Sequence, residues 1–366
     1  MKKRTKRVLT FMLAGLLLGS AALLPVGAAG ETSIHILNTG WEDAIILESA
    51  GHYALIDAGE PGRGPYIVDY LQRLAGADAV HLDFIIGTHS HIDHMGGFKY
   101  ILEQPGITVG KAYVKREATP GSRYYQEFIA GCEGKGVAVV QDNLDMLALP
   151  LGNMTVTLLN GAPLEGGATN PESLCQLVEA GGLKALLAAD MVSDAKELGV
   201  YDQIDGAVDF LKVGHHGMGD STGRAFAGNI RPKAAVYTNG SSWEADSHDV
   251  TLGVKKGLSG YNNLKSVGAV QYVTTDNGGV MAVFGENGIE LRAIKEFTKK
   301  GETLVYETRA EITLRPIAEP SLTFFERVAA FFQGIYYCVR DWVRARGESI
   351  IAYANEKILH FKPRRV

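Results

Sequence analysis

Residues 88–97 read Thr88-His89-Ser90-His91-Ile92-Asp93-His94-Met95-Gly96-Gly97. Three histidines and one carboxylate fall within six positions, in the pattern His-x-His-x-Asp-His. Just upstream, Leu82-Asp83-Phe84-Ile85-Ile86 is an apolar run of buried-strand type. The histidines therefore stand where a strand gives way to a loop. Side chains two apart in extended chain point the same way. His89 and His91 can then grip one metal ion, while Asp93 and His94, past the bend, face a second. Imidazole with carboxylate suits zinc and tolerates manganese or iron. Gly96 and Gly97 let the backbone pass close to such a centre. A lone histidine is ordinarily a satisfied core or surface residue. Four polar side chains packed this densely behind an apolar strand would each need a partner if buried, and packing supplies no reason for them.

Working outward, Ser33–Leu37, Ala44–Glu48 and Tyr53–Ile56 read as strands, and a helix is expected over about 66–74. A second helix is expected near Phe98–Leu102, and a third around Tyr124–Gly131 between strands at Val109–Val114 and Val137–Val140. Further strands are expected at Met154–Leu159, Ser173–Glu179, Ala185–Leu187, Phe210–Val213, Ala234–Thr238, Gln271–Thr274 and Val280–Phe284. Many strands, interspersed helices and polar residues at strand ends fit two packed sheets covered by helices.

Two further strand ends carry metal chemistry. Asp190 follows Leu183–Ala189, and a carboxylate there can bridge two ions, although a plain turn aspartate is common at such places. His215 and His216 follow another apolar strand and lie between Gly214 and Gly217. His248, in Ala245-Asp246-Ser247-His248-Asp249, is a weaker candidate on its own. Six of the ten histidines lie in these loops, which argues for convergence on one site.

The chain has 366 residues, 46% of them hydrophobic, enough for one large core or a domain with an extension. Lys2, Lys3, Arg4, Lys6 and Arg7 precede an apolar run, Val8 to Leu24, and then Pro25-Val26-Gly27-Ala28-Ala29. This is the pattern of a secretory signal over residues 1–29, the alternative being an uncleaved anchor. Its removal leaves 31 basic against 41 acidic residues, a poor surface for tight, nonspecific nucleic-acid binding. Cys132, Cys175 and Cys338 are few, odd in number and far apart, so no disulfide framework and no Cys-x-x-Cys zinc site is implied.

With these motifs in order, the chain resembles the metallo-β-lactamase superfamily of binuclear metallohydrolases. Gly40-Trp41-Glu42-Asp43-Ala44, Leu55-Ile56-Asp57-Ala58-Gly59, Leu211-Lys212-Val213-Gly214-His215-His216-Gly217 and Thr275-Asp276-Asn277-Gly278-Gly279 resemble the hydrolase domain of ComEC/Rec2-type competence proteins. Secreted phosphorylcholine esterases are also similar. The resemblance implies an α/β fold, an αββα four-layer sandwich of two mixed sheets flanked by helices, over residues 31–286. It implies one ion on His89, His91 and His215, a second on Asp93, His94 and His248, and Asp190 between them. Two divalent cations are implied, zinc first and manganese as the alternative. Asp93, Asp190 and His216 are the expected catalytic residues, acting by metal-activated hydroxide. Asp57 is expected to orient a ligand histidine, and Lys212, Ser221 and Thr222 to contact an anionic substrate. The sequence departs from the superfamily pattern in having no third-motif histidine between His94 and Asp190. The corresponding stretch reads Asn170-Pro171-Glu172-Ser173-Leu174, and His215 is expected to substitute. Trp41-Glu42 stands where the competence subgroup has Gln-Gly.

Residues 287–366 read as an extension, with strands at Gly288–Phe297 and Glu302–Arg315 and an amphipathic helix over 322–354 suited to packing on its own domain or to a membrane surface. No cluster of transmembrane helices follows, so the chain is no channel by itself. The function expected is a secreted or envelope phosphoester or phosphodiester hydrolase, its substrate a small molecule, a cell-wall polymer or nucleic acid. The competing readings are a hydrolase of a lactone, thioester or β-lactam, an extracellular nuclease linked to DNA uptake, and a noncatalytic metal-binding protein of the envelope.

Overall fold

A computed structural model describes residues 31–117, 121–164, 170–192, 194–238, 259–294, 297–300, 303–306, 314 and 316–317. The signal segment, His248, Cys338 and the amphipathic helix expected over 322–354 lie outside the described residues.

Alternation along the strands builds the layers. In β1 (Ser33–Leu37) and β2 (Ile45–Ser49), Ile34, Ile36, Ile45 and Leu47 face one core, while Leu37 and Ile46 face another. The chain continues through β3 (His52–Ile56), helix α1 (Gly64–Ala75), β4 (Val80–Gly87), the short helices α2 (Ile92–Met95) and α3 (Phe98–Glu103), β5 (Ile107–Val114), α4 (Arg123–Lys135) and β6 (Ala138–Val140). β7 (Ala148–Leu151), β8 (Met154–Leu159), β9 (Cys175–Ala180) and β10 (Leu183–Leu187) follow as antiparallel neighbours. Helix α5 (Asp194–Asp202), β11 (Phe210–Lys212), α6 (Arg224–Ile230), β12 (Ala234–Tyr237), α7 (Ser259–Ser266), β13 (Val270–Val273), α8 (Thr274–Asn277), β14 (Gly279–Gly285), β15 (Gly288–Ala293) and the hairpin β16 (Phe297–Lys300) and β17 (Thr303–Tyr306) complete the order.

One sheet has eight strands in the order β15-β14-β1-β2-β3-β4-β5-β6, and the other seven in the order β13-β12-β11-β10-β9-β8-β7. Both are mixed: β3–β4–β5–β6 and β10–β11–β12–β13 run parallel, the rest antiparallel. The inner faces share one core, in which Ile36, Ile56 and Ile86 meet Val156, Val178 and Leu187. α1, α3 and α4 cover the outer face of the first sheet, where Ile67, Phe98 and Phe128 pack on Ile46 and Ile85. α5, α6 and α7 cover the second, where Val200, Phe226 and Leu264 pack on Leu186 and Leu211. The result is the four-layer αββα sandwich.

β15 pairs with β14 along six positions and Ile294 is buried in the outer core, so the first sheet runs past residue 286. Of the strands expected over 288–297 and 302–315, the structure describes β15, β16 and β17; residues 302, 307–313 and 315 lie outside the described residues. Cys132 and Cys175 are buried free thiols. No helix among the described residues is long and apolar enough to cross a membrane.

Candidate metal centre

The parallel strands β3, β4, β10, β11 and β12 end on one rim, and each hands over a polar residue there: Asp57, His89, Asp190, His215 with His216, and Thr238. Carboxyl ends of parallel strands are the usual place for a ligand crevice in α/β sheets. Backbone strain marks the same rim. Asp57, Ala189, His215 and His216 all take positive φ, between 45° and 57°, a conformation that costs free energy in non-glycine residues and clusters at functional sites.

After β4 the chain turns at Thr88–Ser90 and enters α2, with His91 at its N-cap. Gly97 is needed here because a Cβ would stand 2.1 Å from the Ala58 carbonyl oxygen. The close approach is thus to the Asp57 loop rather than to the ligands. Ala58 N–H donates to His94 O at 2.6 Å and Gly97 N–H to Gly59 O at 2.9 Å, locking the two loops together.

Three groups of ligand-type atoms occur among the described residues. Asp93, His94, Asp190 and His216 form one, His89, His91 and Asp190 the second, and Asp43, Asp57 and His94 a third; within each, the atoms lie within 4.8 Å of one another. In the third, His94 Nδ1 is taken up by Asp57, which leaves the first two as the cation sites. Asp190 belongs to both of these. Its Oδ1 is 3.2 Å from His94 Nε2 and 3.3 Å from His216 Nε2, while its Oδ2 is 3.8 Å from His89 Nε2 and 3.9 Å from His215 Nε2. Asp93 Oδ2 is 3.3 Å from His216 Nε2.

Hydrogen bonds on the far side of each ring fix the tautomers. His94 Nδ1 lies 2.7 Å from Asp57 Oδ2, an acceptor only, so Nδ1 carries the proton. Thr238 Oγ1 donates to Asp43 Oδ1 and must therefore accept from His216 Nδ1, 2.9 Å away. Thr88 Oγ1 donates to Asp57 Oδ2 and accepts from His89 Nδ1 at 3.2 Å. His215 Nδ1 donates to Asp220 Oδ1 at 2.8 Å. When neutral, each of these four rings presents an unprotonated Nε2 to the site. The Nε2 atoms of His89, His94 and His216, with Asp190 Oδ1, are buried and have no hydrogen-bond partner among the described residues. Buried polar atoms without partners are costly, and four converging lone-pair bearers are a donor set for cations. The residues present therefore fit bound divalent metal.

Electrostatics agree. Asp43, Asp57 and Asp190 are buried, as is the Lys212 ammonium. Burial pushes the Asp190 carboxyl up, but His216 and His94 overcome it and hold it well below the usual range. Asp93 behaves likewise and falls to about 2. For His216, burial lowers the imidazole, and Asp190 with Asp43 reverses this and lifts it to about 10. The site draws positive charge, which cations supply.

The expected site residues take the following places. His216, expected beside the ligands, sits among them, because Thr238 pins its ring with Nε2 between Asp93 and Asp190. His215 approaches Asp190 but stands outside both tight groups, its Nε2 accepting from Asn170 Nδ2 at 2.9 Å. Lys212 is fully buried, paired with Asp43 and donating to Ala189 O at 3.1 Å; a buried ammonium needs its counter-ion, so it holds the site together rather than touching substrate. Ser221 and Thr222 are also buried. Ser221 Oγ donates to Gly214 O at 2.7 Å, closing the histidine turn, and the Thr222 and Gly223 amides donate to Glu197. Sequence reasoning assigns no role to Asp43, Thr238 or Asn170. Asp43 has a signal in the Gly40–Ala44 motif and Asn170 in the stretch that stands in place of the third-motif histidine; Thr238 has none.

A sequence profile described as the Metallo-beta-lactamase superfamily matches residues 42–237. ComE operon protein 3 of Bacillus subtilis is 25% identical over 166 residues, covering 44% of this chain and 20% of that protein. Recombination protein 2 of Haemophilus influenzae is 27% identical over 246 residues, covering 65% and 28%. The chain thus spans between a fifth and little more than a quarter of the relatives it matches. Among solved structures, the metallo-beta-lactamase fold protein YhfI from Bacillus subtilis is 13% identical, with TM-score 0.45, covering 69% of this chain and 100% of that one.

Proposed function

Because this chain belongs to the metallo-β-lactamase superfamily, we propose that it is an extracytoplasmic hydrolase that cleaves phosphoester or phosphodiester bonds with two divalent cations. The observation that carries the reading is Asp190, whose two oxygens face two different sets of bare imidazole nitrogens. Asp93, His94, Asp190 and His216 would hold one cation; His89, His91 and Asp190 would hold the other, with His215 beside them. Nitrogen and oxygen donors without thiolate suit zinc, with manganese as the alternative. When bound, the cations supply Lewis-acid polarisation of a phosphoryl oxygen and activation of a water nucleophile.

The chain's own residues do the remaining work. Asp57, Thr88, Thr238 and Asp220 keep protons on Nδ1 and so keep Nε2 available. Asp190 screens the repulsion between two cations. Trp41, its ring 5.8 Å from that of His216, shields that side of the site from water. The basic head and apolar run of residues 1–29 support export. The motif resemblance to the competence hydrolase domain and to phosphorylcholine esterases supports a phosphoester rather than a β-lactam. The acidic balance of the chain favours a small or cell-wall phosphoester over nucleic acid.

The test is a panel of bis(p-nitrophenyl) phosphate, p-nitrophenyl phosphorylcholine, single- and double-stranded DNA, and nitrocefin, each with and without chelator. Phosphoester cleavage that is lost on chelation and in Asp93→Ala is the expected result. Rapid nitrocefin turnover with inert phosphoesters would overturn the substrate class. Metal retention with no turnover of any substrate would leave a noncatalytic binding protein.

A further inference from the structure

One buried cation beside the candidate metal centre takes no part in the scheme above. Lys115 directly follows β5, which runs parallel to β4 with Val114 opposite Gly87. Lys115 therefore stands level with Thr88, one residue before His89. It is only 4% exposed, and its Nζ forms no hydrogen bond among the described residues. Glu172 Oε2 lies 3.8 Å away, beyond hydrogen-bond reach. The other oxygen of Glu172 is committed to Lys196 Nζ at 2.8 Å. Two ammonium groups thus share the Glu172 carboxylate, and Asp145 acts on Lys115 only as a minor, more remote charge.

The turn that carries Glu172 also touches the metal site. Asn170, which opens it, donates to His215 Nε2, and its own Oδ1 is buried without a hydrogen bond. Ser173, which follows it, has Oγ 3.4 Å from His89 Nδ1. Leu174 N–H donates to Thr88 O at 3.0 Å, tying the turn to the end of β4. A buried ammonium without hydrogen bonds is costly to keep. Burial pushes the Lys115 ammonium down and Glu172 only partly restores it. An anion would supply the missing acceptors.

We propose that Lys115 is the centre of an anion subsite, flanked by Lys196, that binds a phosphate group of the substrate next to the metal centre. The identity of the anion rests on the phosphoester reading; the subsite itself rests on the buried ammonium and its geometry. Lys115 positions the substrate and sets its charge requirement, while Glu172 tunes the affinity by competing for the same ammonium.

Calorimetric titration of the full chain with inorganic phosphate tests this. Lys115→Met keeps the bulk of the stem and removes the charge; it is expected to bind phosphate roughly 10- to 100-fold more weakly. Glu172→Gln removes the competing carboxylate and is expected to bind phosphate more tightly, the opposite sign from a general loss of structure. Wild-type affinity in Lys115→Met, or weaker binding in Glu172→Gln, overturns the proposal, as does an absence of phosphate binding by the wild type. Turnover of bis(p-nitrophenyl) phosphate is read in parallel on the metal-loaded chain. Phosphate binding that depends on Lys115 without any turnover would sink the phosphoester reading and keep the subsite. Turnover with phosphate binding indifferent to Lys115 would do the reverse.

Discussion

Replacing Asp57 with asparagine removes one acceptor oxygen from the carboxylate that holds His94. Asp57 accepts three hydrogen bonds: from Thr88 N–H at 2.9 Å, from Thr88 Oγ1 at 2.7 Å and from His94 Nδ1 at 2.7 Å. Its φ is 57°, and asparagine tolerates that left-handed conformation, so the backbone is not the target. The amide has one acceptor oxygen and one NH2 group. If the oxygen stays on the Thr88 amide, the NH2 faces His94 Nδ1–H, donor against donor. His94 must then lose that bond or move its proton to Nε2, the atom that faces Asp190. Either outcome weakens the ligand. A hydrogen bond to a charged group contributes about 1.5–3 kcal/mol, and losing such support for a metal-bound histidine typically weakens metal binding about 10- to 100-fold. Chelator-competition titration of both variants with zinc measures this. The expected order is wild type, then Asp57→Asn weaker by that factor, then His94→Ala weaker still. Wild-type affinity in Asp57→Asn, with His94→Ala impaired, would refute the tautomer argument.

Asp190→Ala is expected to loosen both cations and abolish hydrolysis, since it removes the oxygen set shared by the two groups; retention of two metals by elemental analysis would disprove the sharing. His216→Ala is expected to lose metal from the Asp93 group, whereas His215→Ala should lower activity with a smaller loss of metal; the reverse pattern in metal content would show that the ring pinned by Thr238 is not the ligand. Glu197 offers a pH test away from the ligands. Burial pushes its carboxyl up to about 8 from an ordinary value of 4.5, outweighing the Gly223 and Thr222 amides that it accepts from. A carboxyl raised on folding gives stability that is full below its unfolded pKa and lost as pH rises through the folded one. The melting temperature should therefore fall between about pH 5 and 8 in the wild type, and fall less in Glu197→Gln; parallel profiles would contradict this.

The segment His89–His94 was legible in the sequence because its chemistry is local. Four ligand-type side chains within six positions, after an apolar strand, can be read without knowing what packs against them. The strands were legible for a similar reason: alternation and apolar runs in β1, β4, β8 and β11 report burial on one or two faces. Helices α5, α6 and α7 were missed, since they are short and carry few apolar positions at helical spacing; what holds them is the second sheet they cover. β7 was missed too, a four-residue strand that contains Pro150.

Tertiary structure decided the remainder of the site. His215 and His216 are adjacent and flanked alike, so no periodicity separates them. Only Thr238, 22 residues further on, fixes the ring of His216, and only Asp43, 195 residues from Thr238, fixes the direction of that hydroxyl's proton. Lys212 is expected to contact substrate only through the resemblance of its motif, which carries no information on its burial. Its pairing with Asp43 closes over 169 residues of chain and makes it part of the frame. The sequence by itself determined which residue types could bind metal and which strand ends would present them. Which nitrogen of each imidazole carries the proton, and so which atoms are left to bind a cation, was decided by partners that only folding brings within hydrogen-bond distance.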